Sequence, residues 1–155
     1  MMNKFIRSAI KEAQKGMRQG DGGPFGAVIV KDEKIVAKGH NVVIKSNDPT
    51  CHAEVTVIRK AAKKLKRFDL SDCKIYTTCE PCPMCLGAIL WARIGKVFYG
   101  CDKEDARKIG FDDEAFYKAF EDPFKTPLIR WERLEADGCR KVFDEWATKE
   151  DKTTY

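Results

Sequence analysis

The segment of residues 81–85 (PCPMC) restricts the fold more than any other stretch of the sequence. Proline is excluded from helix interiors but suits the first helical turn, so a helix should begin at this segment. The alternating residues 72–78 before it predict a strand, and the apolar residues 84–93 after it predict a short buried helix. The segment therefore marks a strand-to-helix junction that carries two cysteines.

Strands and helices are expected to alternate along most of the chain. The expected helices cover 3–19, a segment beginning near His52, 84–93, 114–120 and 140–149. The expected strands cover 25–31, 35–38, 72–78, 96–100 and 128–134, with a turn at 32–33. Residues 40–44 either continue the second strand or form another. This alternation favours an α/β sandwich in which at least part of the sheet is parallel.

Length and cysteine content exclude several classes of protein. The 155 residues suit one domain, and no apolar stretch approaches the roughly 20 residues that span a bilayer. Residues 1–14 mix charged with apolar side chains, unlike a secretory signal, so we expect a cytoplasmic protein with reduced thiols. Seven cysteines, an odd number, fit a disulfide scaffold poorly. They are expected to be packing residues, metal ligands or reactive groups.

The net charge of +5 is small, but six basic residues are concentrated in one segment, 59–67. They are Arg59, Lys60, Lys63, Lys64, Lys66 and Arg67. Such a cluster could contact nucleic-acid phosphates. It is also typical of the solvated face of an amphipathic helix, which is the interpretation we favour.

The chemically informative residues are His52, Glu54, Cys82 and Cys85. Two thiolates at a helix start and one imidazole make a three-ligand set of the kind that binds catalytic zinc and leaves a position for water. Glu54 is placed to exchange protons with that water. Two alternatives stay open: Cys79 could complete a structural Cys₃His site, and the Cys-x-x-Cys pair could be a redox pair.

These motifs resemble the zinc-dependent cytidine and nucleobase deaminases, whose signature is H-x-E followed by P-C-x-x-C. The phrases GGPFGAVIV, SNDPTCHAEV, TTCEPCPMCLGAILWAR and GFDDEAFY extend the similarity, over nearly the whole chain, to the bacterial-type guanine deaminases. The resemblance implies a three-layer α/β/α sandwich with a central mixed sheet flanked by helices. It also implies one zinc ion per subunit and hydrolytic deamination of guanine to xanthine and ammonia.

The resemblance also implies roles around the purine. Glu54 would be the catalytic acid and base, and Asp113 would assist departure of the amino group. The implied substrate-binding residues are Phe25, Asn41, Ala53, Trp91 and Tyr155. Structural roles stay open for most of them: core packing for Phe25 and Trp91, a turn at Asn41, a helix cap at Asp113, and a frayed end at Tyr155.

Other functions compete with this reading. A tRNA adenosine deaminase would use the same zinc motif and give the basic segment 59–67 a role on phosphate. A cytosine or aminotriazine deaminase is a further alternative, and a zinc-stabilised binding module without turnover is a distant one. We expect a homodimer in which residues 123–155, a C-terminal extension of the single domain, are exchanged so that Tyr155 covers the partner's site.

Overall fold

Seven helices and four strands follow one another along residues 3–155, which are the residues that the computed structural model describes. The helices are α1 (Lys4–Gln19), α2 (Val43–Ser46), α3 (Ala53–Leu65), α4 (Pro83–Trp91), α5 (Lys103–Lys108), α6 (Glu114–Glu121) and α7 (Ala136–Thr148). The strands are β1 (Gly26–Lys31), β2 (Lys34–His40), β3 (Lys74–Cys79) and β4 (Val97–Cys101). The chain divides into two units, the first ending at Glu114 and the second comprising Ala115–Tyr155.

The four strands form one mixed sheet in the order β2-β1-β3-β4. β1 is antiparallel to both β2 and β3, whereas β3 and β4 are parallel. The tight turn at Asp32 and Glu33, both with positive φ, joins β1 to β2 as a hairpin. The parallel pair needs a crossover, and α4 provides it between β3 and β4.

Alternation along the central strands divides the core into two layers. Val28, Val30 and Tyr76 face α1 and pack with its residues Phe5 and Ala9. The intervening residues face α3 and α4; this second cluster includes Ala27, Ile29, Ile75, Val57 and Ile89. The first unit is therefore a three-layer α/β/α sandwich with a central mixed sheet, as predicted.

Two predicted strands are wrong. Residues 40–44 neither extend β2 beyond His40 nor form a strand, because the Asn41 side chain accepts a hydrogen bond from the Val43 N–H at 3.1 Å and the chain turns into α2. Residues 128–134 form no strand either. Within this segment the Trp131 indole donates to the Pro123 carbonyl.

No residue of the second unit, Ala115–Tyr155, is buried. Within it, the rings of Phe124 and Trp131 contact each other, with centroids 5.1 Å apart. None of the helices within residues 3–155 combines the length and apolarity that a bilayer crossing demands.

Candidate active site

The starts of α3 and α4 present the predicted metal ligands. His52 and Cys82 are the residues immediately before these two helices, and both have extended backbones. Neither side chain is used to cap its helix, so the imidazole and the thiol are available to a ligand. Cys85 lies in the first turn of α4 and is 1% exposed. Pro83 at the first helical position explains why α4 begins here.

The three ligand atoms have a spacing that fits zinc. His52 Nδ1 lies 3.6 Å from Cys82 Sγ and 3.5 Å from Cys85 Sγ. Zinc bonds of about 2.3 Å to sulfur and about 2.1 Å to nitrogen, arranged tetrahedrally, separate the two kinds of ligand atom by about 3.6 Å. The two nitrogen–sulfur distances therefore fit tetrahedral zinc, and all three candidate ligand atoms lie within 4.8 Å of one another.

The electrostatics of this group also favour a bound cation. The hydrogen bond from the Cys85 thiol lowers the pKa of Cys82 to about 4. Donation of that same bond, together with burial and the nearby Glu54 carboxylate, raises the pKa of Cys85. A cation bound by both sulfurs would favour the thiolate form of each.

Glu54 is buried in contact with Cys85, one of the predicted metal ligands. It is 5% exposed, its Oε2 lies 3.4 Å from Cys85 Sγ, and its Oε1 accepts from the Thr77 hydroxyl at 2.5 Å. Burial raises the pKa of Glu54, and the hydrogen bond from Thr77 opposes that rise. The carboxylate is therefore held in one orientation, with a pKa moved toward the range useful for proton transfer.

Thr77 is the residue that the sequence analysis missed. It lies on β3 with 0% exposure, on the face of the sheet that packs against α3. The alternation of residues 72–78 was the only available signal, because it places the Thr77 side chain on the buried face of a strand. A hydroxyl at a fully buried strand position needs a polar partner. We assign Thr77 as a positioning residue for Glu54.

Replacing Thr77 by valine should lower kcat on the order of tenfold, since a misoriented carboxylate transfers protons less well. The variant keeps the volume and removes only the hydroxyl, so zinc content should not change. The pH profile of kcat should shift to higher pH, because the bond that opposes the raised pKa of Glu54 is lost. An unchanged profile with unchanged kcat, measured beside Thr77→Ser, would show that Thr77 does not position Glu54.

Two predicted substrate-binding residues, Asn41 and Phe25, are joined by a backbone hydrogen bond, Asn41 N–H to Phe25 C=O, of 3.0 Å. Asn41 is 4% exposed, and its Oδ1 is engaged by Val43 N–H. The Phe25 ring packs on the α3/α4 core and meets Phe111 edge-to-face at 4.8 Å between centroids. The turn role predicted as an alternative for Asn41 and the packing role predicted for Phe25 are thus both present in the structure.

Asp113 and Ala53 also belong to the first unit. Ala53, the first residue of α3, is fully buried between the ligand His52 and Glu54. Burial raises the pKa of Asp113, and the negative charge of Cys82 raises it further.

The structure does not bring Trp91 to this group. Trp91 ends α4, whereas Cys82 precedes its start, so the two residues are nine positions apart along the helix, a rise of about 13 Å. Its side chain is 67% exposed, which is not the environment of a pocket wall within one chain. The predicted role of Trp91 in substrate binding stays a prediction. Tyr155 belongs to the second unit and is 69% exposed.

The alternative of a structural site completed by Cys79 fails on geometry. Cys79 is buried, and its thiol faces the Asp102 carbonyl at 3.6 Å. Burial raises the pKa of Cys79 to about 12, so it stays a thiol. Among residues 3–155, the ligand group comprises His52, Cys82 and Cys85 without it.

Comparison with known proteins places this site in a family. Residues 1–101 match the sequence model of the cytidine and deoxycytidylate deaminase zinc-binding region. The chain belongs to this family of zinc-binding deaminases.

Particular relatives narrow the similarity further. The chain is 48% identical to the guanine deaminase of Bacillus subtilis (strain 168) over 151 residues, 97% of each chain. A crystal structure of guanine deaminase from that organism superposes with a TM-score of 0.94, covering 99% of both chains at 48% identity. A tRNA-specific adenosine deaminase of Aquifex aeolicus (strain VF5) is 32% identical over 146 residues, 94% of this chain and 93% of the relative.

Proposed function

We propose that this enzyme hydrolyses guanine to xanthine and ammonia, using one zinc ion per chain held by His52, Cys82 and Cys85. The observation that carries the proposal is the ligand group with Glu54 behind it, in a chain 48% identical to a guanine deaminase along 97% of its length. Water supplies the oxygen of the new C2 carbonyl, and the C2–N bond to the amino group breaks. Such a reaction belongs to cytoplasmic purine metabolism.

Zinc, when bound, lowers the pKa of a coordinated water to about 7, so that a hydroxide nucleophile is available at neutral pH. Glu54 then handles the protons. Its buried carboxylate, fixed by Thr77, accepts the proton of the attacking water and delivers it to the ring nitrogen. The same carboxylate then takes the second water proton from the oxygen now bonded to C2 and passes it to the amino group, which leaves as ammonia; its raised pKa suits this role.

Asn41 and Phe25 account for recognition of the base. The Asn41 Oδ1 is engaged by Val43 N–H, but its amide N–H groups remain available as donors and Oδ1 keeps a second lone pair. Phe25 offers a ring face for stacking, and Asp113 can accept from the guanine amino group. Ala53, without a side chain beyond Cβ, leaves room for the base beside the metal ligands.

The basic segment 59–67 gives the tRNA alternative little support. Lys60 and Lys64 donate to the backbone carbonyls of Lys38 and Val36 on the edge strand β2. Arg59 pairs with Asp48, and Arg67 pairs with Asp72. Four of the six basic side chains thus bind groups of the protein itself, which supports the interpretation of a solvated helix face.

A substrate panel tests the proposal. Purified zinc-loaded protein should release ammonia from guanine, and at least about a hundredfold more slowly from adenine, cytosine and an aminotriazine, which offer different hydrogen-bonding edges. A synthetic anticodon stem-loop with a wobble adenosine should not be converted to inosine. Inosine formation without ammonia release from guanine would instead establish the tRNA alternative.

We also propose a homodimer in which the segment 123–155 is exchanged between subunits and Tyr155 covers the partner's site. Large apolar side chains of this segment are exposed, which is unusual for a monomer. They are Phe124, Leu128, Ile129, Trp131, Leu134, Val142, Phe143, Trp146 and Tyr155. A monomeric mass by light scattering, or full activity after deletion of residues 148–155, would contradict this arrangement.

A further inference from the structure

A buried group of three ionisable side chains lies outside the residues discussed so far. His40, the last residue of β2, is bound on both sides of its ring. Its Nε2 lies 2.8 Å from Asp21 Oδ2, and its Nδ1 lies 3.4 Å from Glu12 Oε2. All three residues are less than 10% exposed. Glu12 belongs to α1, so this bridge links the first helix, the loop after it and the end of β2.

The bridge is closely fitted to its surroundings. His40 lies against Gly16 of α1, where a Cβ would come within 2.3 Å of the imidazole ring. Only a glycine at position 16 leaves room for the ring. Lys38 pairs with Glu12 at 3.1 Å, and Lys45 pairs with Asp21 at 3.3 Å, so each carboxylate has a second cationic partner.

The charges support ionised carboxylates on both sides of the ring. The hydrogen bond from His40 lowers the pKa of Asp21, and Lys45 lowers it further. Burial works to raise the pKa of Glu12, but hydrogen bonds from Lys38 and His40 outweigh it and the pKa is lowered. Each ring nitrogen of His40 thus faces a buried carboxylate oxygen, one from Asp21 and one from Glu12.

The residues next to this bridge are the predicted substrate contacts. Asp21 is followed by Gly22, where a Cβ would come within 2.2 Å of Asn41 Oδ1, and His40 is followed by Asn41. The Asn41 N–H donates to the Phe25 carbonyl at 3.0 Å, and the Lys45 N–H donates to the Asp21 carbonyl at 3.1 Å. Residues 21–25 and 40–45 are thus held against each other along their length.

We propose that the Glu12–His40–Asp21 bridge positions Asn41 and Phe25 for the base, so that His40 determines substrate affinity without taking part in the chemistry. The proposal rests on the proposed function for the identity of the ligand that Asn41 and Phe25 contact. His40 is a positioning residue: its ring is turned toward α1, and it acts through the two segments that the bridge joins.

The test compares His40→Leu with Val30→Ala, a core variant on the same α1 face of the sheet that leaves both segments untouched. In His40→Leu, KM for guanine should rise on the order of tenfold with kcat within about twofold, because positioning is lost and the proton chemistry is not. Val30→Ala should lower Tm without changing KM. His40→Gln, which retains a donor toward Asp21, should recover most of the affinity.

Amide hydrogen exchange gives a second readout that does not need turnover. The amides of Asn41, Val43 and Lys45 should exchange faster in His40→Leu than in the wild type, since these amides donate within the two joined segments. Their exchange rates should be unchanged in Val30→Ala. An unchanged KM in His40→Leu, whatever its Tm, would overturn the positioning role, and so would unchanged exchange. Wild-type protein that leaves guanine intact would overturn the proposed function instead, and the exchange comparison would still decide whether the bridge holds these segments.

Discussion

The variant Glu54→Gln is expected to bind zinc normally and to lose kcat for guanine by about 10²–10⁴-fold, the usual contribution of a general acid and base. Glutamine has the same size and can still accept from the Thr77 hydroxyl, so the site should keep its geometry. It cannot take up and return a proton. Steady-state kinetics together with metal analysis of the purified variant measure both parts.

A matched control is Glu33→Gln, the same chemical change at an exposed residue of the β1–β2 turn that pairs with Lys74. Its kcat and zinc content should equal those of the wild type. If Glu54→Gln kept both zinc and turnover, Glu54 would not be the proton carrier, and if it lost zinc, Glu54 would be a ligand. The assignment of roles within the site would then be wrong.

Loss of a metal ligand should have the second large effect. In Cys85→Ser, zinc should fall from about one per chain to a small fraction of that, and guanine turnover should fall with it, because a serine hydroxyl binds zinc far more weakly than a thiolate. Tm should also fall, since a metal that binds the folded state stabilises it. Elemental analysis and a melting curve with and without added zinc report these changes.

Cys79→Ala separates this effect from the general loss of a buried cysteine. Cys79 lies on β3 three residues before Cys82, and its thiol faces a backbone carbonyl. The variant should retain zinc and turnover. Loss of zinc from Cys79→Ala would revive the closed Cys₃His site that the observed geometry excludes.

The fold and the grouping of His52, Cys82 and Cys85 could be predicted because they follow from local rules. Proline around Cys82 confines the start of α4, and the two-residue turn at Asp32 and Glu33 forms the β1–β2 hairpin. Alternating strands and helices then define the layers. His52 and Cys82 immediately precede α3 and α4, so their convergence follows once these helices pack side by side.

Contacts between distant residues could not be predicted in the same way. Thr77 meets Glu54 across 23 positions, and His40 meets Glu12 across 28, so neither pair leaves a periodic signal. The Val43 N–H donates to the Asn41 side chain where the chain turns from β2 into α2. This bond depends on one side-chain rotamer of Asn41. Residues 128–134 were predicted as a strand from local composition alone, which carries no information about whether a pairing partner exists.

Hydrolysis of guanine in water enriched in ¹⁸O tests the central claim most directly. Zinc-loaded protein should form xanthine and ammonia in equal amounts, with one solvent oxygen at C2 of the xanthine, and should stop doing so when the metal is chelated. The Glu54→Gln protein, still carrying zinc, should show the same labelling at a rate lower by orders of magnitude. Guanine recovered intact and unlabelled with zinc-loaded wild-type protein would contradict the account.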